Sequence, residues 1–202
     1  MTSQYTSTHG CWKFSDTLDE SFPTLAEQLS KAGYHTGAVV GHIFLGQKFG
    51  LNQGFDDYDD DLVLETLGDS HQAITSHVIT DKAIAFLDKH LEQRPEQPWF
   101  LWTHYFDPHV KYQNHEGITE IFGDHRRARY NGEIAYTDAH LGRLLKHIKE
   151  KGLEDNTVIV FVSDHGEEFL DHGDRLHGKT LYREVIRVPL GIKVPNIKPR
   201  TV

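Results

Sequence analysis

Cysteine is nearly missing from this chain. Cys11 is the only one in 202 residues, which excludes an internal disulfide and a cysteine-built zinc site. Long apolar runs are missing too, and none approaches the roughly 20 residues of a membrane-spanning helix. Basic charge is in short supply: 21 Lys and Arg stand against 30 Asp and Glu, a net −9 with histidine neutral. The chain therefore has no overall attraction to nucleic-acid backbones or anionic lipid. The sequence contains no P-loop, dinucleotide-binding glycine fingerprint or nucleophile elbow, and no internal repeat or low-complexity tract divides it. Met1 to Gly10 has no basic patch followed by an apolar stretch, so it does not read as a signal peptide. What remains is ordinary globular composition, 38% hydrophobic and 25% charged, at a length suited to one domain. The excess lies in histidine, with 15 copies of a residue that ligates metals and moves protons.

The apolar pattern alternates between helix and strand periods. Leu25, Ala26 and Leu29 form a helical stripe stopped by Gly33, and 34–40 reads as a strand. Residues 41–69 read as an acidic loop in which the run Asp56 to Asp61 lies in solvent, without the glycine and glutamate spacing of an EF-hand. A helix follows over roughly 70–91, its face marked by Ile74, Val78, Ala83, Phe86, Leu87 and Leu91. Trp99–Thr103 reads as a buried strand. Ile134, Leu141, Leu144, Leu145 and Ile148 give a second long helix, with Arg126, Arg127 and Arg129 covering its start and Gly152 beyond its end. Thr157–Val162 has no polar alternation, which predicts the middle of a parallel sheet covered on both faces. A last strand is expected at 188–194. This order implies an α/β fold, a mostly parallel sheet with helices on both faces. In such sheets ligands bind beyond the carboxyl ends of the strands.

Two of those strand ends are dense in ligating side chains. Asp164 and His165 adjoin each other after the strand at 157–162, with Gly166 to permit a turn. Their oxygen and nitrogen donors suit Ca²⁺, Mg²⁺, Mn²⁺ or Zn²⁺ without choosing among them; the alternative is that Asp164 caps a following helix. His104, Asp107 and His109 follow the strand at 99–103, where Pro108 stiffens the backbone. Solvent-facing loop histidines are the alternative there. A third group, His172, His177 and Lys179, lies in a loop containing Gly173 and Gly178; its lysine suits an anionic group, and a plain surface loop is the alternative.

The same segments carry a family likeness. Ser163 to Leu190, beginning S-D-H-G-E-E and ending V-P-L, resembles the C-terminal signature of the sulfatases of the alkaline-phosphatase superfamily. Pro98 to His109, P-W-F-L-W-T-H-Y-F-D-P-H, is similar to that family's central motif. Leu25–Gly33, Gly54–Asp60, Asn131–Tyr136 and Leu141–Leu145 resemble its intervening segments, so the likeness covers nearly the whole chain.

The resemblance implies an alkaline-phosphatase/sulfatase-like fold and, position by position, a site. Asp164 and His165 would be ligands of an active-site divalent cation, usually Ca²⁺. His109 would contact the sulfate or the leaving-group oxygen, Lys179 would neutralise sulfate charge, and His177 would share that pocket. The implied mechanism uses a formylglycine hydrate, made from Cys or Ser, as nucleophile. Its C/S-x-P/A-S-R motif and the family's N-terminal metal aspartates have no counterpart here, since Cys11 is followed by Trp12-Lys13-Phe14-Ser15. Met1–Gly10 resembles the segment just after the nucleophile, and Lys111 stands where the family often has proline. The expectation is thus that residues 1–202 are part of a sulfatase catalytic domain, with its N-terminal strand missing and an exposed strand edge as a result. The function it implies is sulfuric ester hydrolysis on a small-molecule or carbohydrate sulfate ester, in a periplasmic or extracellular setting. A phosphoric or phosphonic monoester hydrolase of the same superfamily is the alternative within enzymes, and a non-catalytic metal-binding module the alternative outside them.

Overall fold

The computed structural model describes residues 1–62, 75–198 and 200. They gather into two compact units, Met1–Leu144 and Leu145–Val202.

In the first unit, helix α1 (Thr6–His9) is a single turn closed by Gly10. Helix α2 (Leu25–Lys31) begins at a capping box. The Thr24 hydroxyl accepts from the Glu27 N–H and the Glu27 carboxylate accepts from the Thr24 N–H, which satisfies two N–H groups that the helix leaves open. Strand β1 (His35–Val40) follows and is the centre of a parallel sheet ordered β2-β1-β3, with β2 at Asp57–Asp59 and β3 at Trp99–His104. All residues of β1 are buried, so this strand is covered on both faces. Its alternate side chains divide the core. Val39 packs with Leu62 and Ile79 on one side, while Ala38 and Val40 pack with Ile43, Leu45, Phe55, Tyr58 and Trp102 on the other.

Helix α3 (Ser76–Gln93) supplies Ile79, Ala83, Leu87 and His90 to the core at helical spacing. Gly37 lets it come close, because a Cβ there would overlap the Phe86 ring. The expected start of this helix near residue 70, with Ile74, lies outside the described residues.

The acidic run is a structural element, contrary to the solvated loop expected from composition. Asp57–Asp59 pairs with β1 as an edge strand, and its neighbours are tied down as well. Asp56 accepts from the Thr36 N–H at 2.9 Å, and Lys82 bridges Asp59 at 2.6 Å and Asp61 at 3.0 Å. Asp57 meets His35 Nε2 at 2.9 Å, and His35 Nδ1 meets His90 Nδ1 at 2.8 Å. His90 Nε2 lies 3.0 Å from the Gln97 carbonyl, which only accepts, so that nitrogen donates and the neutral His90 ring accepts from His35 through Nδ1. Two of the many histidines are thus core hydrogen-bonding groups.

Helix α4 (Arg126–Glu150) starts at the arginine run, as expected. Ala128, Leu144 and Ile148 are buried, while Ile134 and Leu145, read as part of its apolar stripe, are exposed.

The second unit holds strand β4 (Ile159–Val162), a short hairpin of β5 (Glu168–Phe169) and β6 (Arg175–Leu176), one-turn helix α5 (Arg183–Ile186) and strand β7 (Leu190–Lys193). Here the expectation for 157–162 is corrected. β4 pairs with β7 and the pairing is antiparallel. Val160, Phe161, Val162, Leu190 and Ile192 are exposed instead of covered on both faces. An apolar run signals a preference for burial, and in these residues that preference is unmet. No described helix is long and apolar enough to cross a membrane.

Candidate active site

In the first unit the chemistry gathers at the carboxyl end of the parallel sheet. Val40 and His104 lie side by side in register, which brings His42, just past β1, near the segment His104–His109 past β3. Phe106 is the middle of a ring stack, 4.3 Å from His42 and 4.4 Å from His109 between centroids. His109 Nδ1 lies 2.8 Å from the Val110 carbonyl; it therefore donates, and in the neutral ring Nε2 is the accepting atom. Sequence reasoning passed over His42. Its one signal was its place just beyond the strand read at 34–40.

Asp107 does different work from its neighbours. It is 4% exposed, and its carboxylate accepts from the Thr75 N–H, from the Thr75 hydroxyl at 2.9 Å and from the Ser76 N–H at 2.7 Å. It caps α3 from another part of the chain, where the helix's open N–H groups favour a negative charge. Further along the chain, buried Glu133 of α4 accepts from the Gln113 N–H at 2.8 Å, and its other oxygen has no hydrogen-bond partner among the described residues. Burial pushes its carboxyl up to about 8, helped by the charge of Asp107 and opposed by the backbone N–H groups of Gln113 and His109.

In the second unit, Asp164 and His165 stand just past β4. His165 Nδ1 is 2.9 Å from the Gly166 carbonyl and donates to it, so Nε2 is the ligating nitrogen of the neutral ring; it lies 3.6 Å from the Asp164 carboxylate. That spacing and that fixed tautomer suit two ligands on one divalent cation. No helix follows Asp164, so the helix-cap alternative falls. Gly166 is needed for close approach: a Cβ would overlap the Glu184 carbonyl, and its N–H donates to Val185 at 2.6 Å. His177 stacks on His165 at 3.8 Å between centroids, with Nδ1 3.2 Å from the nearly buried Glu167. Asp164, His165 and His177 therefore come together. Lys179 points to Asp174 at 2.9 Å, and that contact, with the Arg175 N–H, holds the Asp174 carboxyl below its ordinary value.

Glu168, also missed by sequence reasoning, organises the loop between them. It is 1% exposed and accepts from the N–H groups of His172 and Asp174 and from the Thr180 hydroxyl. Glu168, His172 and Glu184 present ligand atoms within 4.8 Å of one another, a possible metal site. His172 stacks on Tyr182 and pairs through Nδ1 with Glu184.

Ionisable side chains clustered past the strands of a parallel sheet are where an α/β fold places its ligand site. The family model described as Sulfatase matches residues 1–202, and the chain belongs to that family. It is 47% identical over 68 residues to the multifunctional alkaline phosphatase superfamily protein PehA of Trinickia caryophylli, a match covering 33% of this chain and 13% of that protein. The ulvan-active sulfatase of Formosa agariphila is 42% identical over 69 residues, 34% of this chain and 14% of that protein. Among solved structures, a protein in complex with its substrate D-glucosamine-2-N,6-O-disulfate shares the fold. Its TM-score is 0.75 at 18% identity, covering 96% of this chain and 60% of that one. The chain thus spans less than two thirds of that solved relative, and its matched segments cover a small fraction of the curated ones.

Proposed function

We propose that residues 1–202 are part of the catalytic domain of a sulfuric ester hydrolase acting on carbohydrate sulfate esters, in a periplasmic or extracellular setting. The observation that carries this reading is the Asp164–His165 pair: a carboxylate and an imidazole of fixed tautomer, 3.6 Å apart at a strand end. They would hold a divalent cation, with Ca²⁺ our first choice, and the ion would supply Lewis acidity toward a sulfate oxygen. His177 keeps the His165 ring in place by stacking. Lys179 answers the charge of the sulfate after leaving Asp174, an exposed and solvent-screened pair that yields easily. His109, whose Nδ1 donates to its own loop, would serve the ester or leaving-group oxygen as the imidazolium, donating from Nε2. The family's nucleophile, a formylglycine hydrate, has no counterpart among these residues. The sulfate-bearing substrate of the solved relative and the ulvan-active sulfatase support the substrate class.

The test pairs binding with turnover. The 202-residue chain should bind Ca²⁺ by calorimetry, lose that binding in Asp164→Ala and His165→Ala, and leave p-nitrophenyl sulfate intact. Extended upstream to include a formylglycine motif, it should cleave sulfate esters faster than phosphate or phosphonate esters. Enzymatic turnover by the 202 residues alone, or a phosphate preference in the extended protein, would refute the proposal.

A further inference from the structure

A cleft in the first unit gathers basic side chains in an otherwise acidic chain. It has a volume of about 480 Å³ and is lined by Val110, Lys111, Tyr112, Asp124, His125, Arg126 and Arg129, which is within the usual size of a small-molecule site. Three cationic side chains face one carboxylate there, in a protein of net charge −9. The first turn of α4 holds Arg126, Arg127 and Arg129 and no acidic residue, and the negative charge that a helix N-terminus favours comes from Asp124 just ahead of it.

The cationic groups are held in position. The Arg126 guanidinium lies over the Tyr112 ring, 5.4 Å from its centroid, an arrangement that orients it while leaving its N–H fork available. Arg129 is held by Asp124 at 3.1 Å, and both are largely exposed, so an incoming oxyanion competes with Asp124 on even terms. His125 Nδ1 accepts from the Ala128 N–H at 3.1 Å and fixes the first turn. The cleft also touches the candidate site directly, since Val110, whose carbonyl accepts from the His109 ring, is in its wall.

We propose that this cleft is a second anion subsite, taking a further sulfate or carboxylate group of a polyanionic carbohydrate whose reacting sulfate ester lies at His109. The inference rests on the sulfatase reading above and adds to it a preference for multiply charged substrates. Guanidinium groups suit it, because they bind oxyanions through paired, charge-assisted hydrogen bonds.

Calorimetry on the 202-residue chain with three disaccharides of one skeleton tests it: monosulfated, disulfated, and monosulfated with a uronate. The wild type should bind the doubly charged ligands about tenfold more tightly, the scale of one charge-assisted contact. In Arg126→Gln/Arg129→Gln that preference should fall below about threefold with monosulfate affinity unchanged. Asp124→Asn, which removes the competing carboxylate, should enlarge it, a gain that misfolding does not produce. A stronger response to disulfate than to uronate identifies sulfate as the preferred second group, and the reverse identifies carboxylate. A wild type without preference, or a preference that survives the double substitution, overturns the subsite. If monosulfate binding depends on His109 while the second charge adds nothing, the subsite fails and the sulfatase reading stands. If the second charge matters while His109→Ala leaves monosulfate binding intact, the subsite survives as an anion site and the sulfatase reading fails. No binding of any of the three overturns both.

Discussion

Replacing Glu133 by glutamine should remove an alkaline weakness from the fold. The side chain is 2% exposed, and burial raises its carboxyl from 4.5 to about 8. Between those values the native chain keeps a proton that the unfolded chain has released. Stability is therefore fully present below pH 4.5 and is lost as pH rises toward 8, by about 1.4 kcal/mol per pH unit. From pH 6 to pH 9 the wild type should lose roughly 3 kcal/mol through this residue, and above pH 8 the loss levels off. Glu133→Gln keeps an acceptor for the Gln113 N–H but has nothing to titrate. Urea unfolding at pH 6 and pH 9, followed by tryptophan fluorescence, reads the difference. Trp12, Trp99 and Trp102 all belong to the unit that contains Glu133. Subtracting the variant removes every other titrating group. Wild-type and variant stabilities that change in parallel, to within about 0.5 kcal/mol, would refute the buried-acid reasoning.

Acid should weaken the protein through a different residue. Burial pushes His90 below its ordinary 6.5, so the unfolded chain takes up protons first as pH falls through that value. The melting temperature should drop between pH 6.5 and 5, with a shallower drop in His90→Gln. Asp107→Ala should cost about 3 kcal/mol by leaving the buried N–H groups of Thr75 and Ser76 without their acceptor, and Asp107→Asn should cost less; chemical denaturation orders the two. Gly54→Ala should cost about 3 kcal/mol or more, since φ is +85 there and a Cβ would overlap the Glu27 backbone. A thermal shift within a degree or two of wild type would contradict that packing.

The strands β1 and β3 were legible from their apolar residues, although β3, expected to be buried, is half-buried along its whole length while β1 is buried throughout. β2 was not, since Asp57 and Asp59 are poor strand formers by propensity, and both the pairing with β1 and the side-chain partners His35 and Lys82 lie far away in sequence. The run before Asp164 announced a strand, but its pairing with β7 depends on a register no local pattern encodes. Asp164 and His165 were legible as a donor pair because a carboxylate and an imidazole adjoin at a strand end, and the fold keeps them together there. Glu168 was not, because its role appears only once the β5–β6 hairpin closes and brings the His172 and Asp174 N–H groups to one carboxylate. Asp107 was grouped with ligating residues by its spacing to His104 and His109, and only the fold shows its carboxylate turned away to α3.

That last contact changes how mutational data on this protein would read. A scan for loss of activity would score Asp107 beside His109 and invite a proton-transfer role for it. Its carboxylate instead clamps the segment that bears His109 to the start of a core helix. Damage at position 107 would then spread in two directions, loosening a helix and misplacing an imidazole. Only a stability measurement made alongside the rate would separate architecture from chemistry.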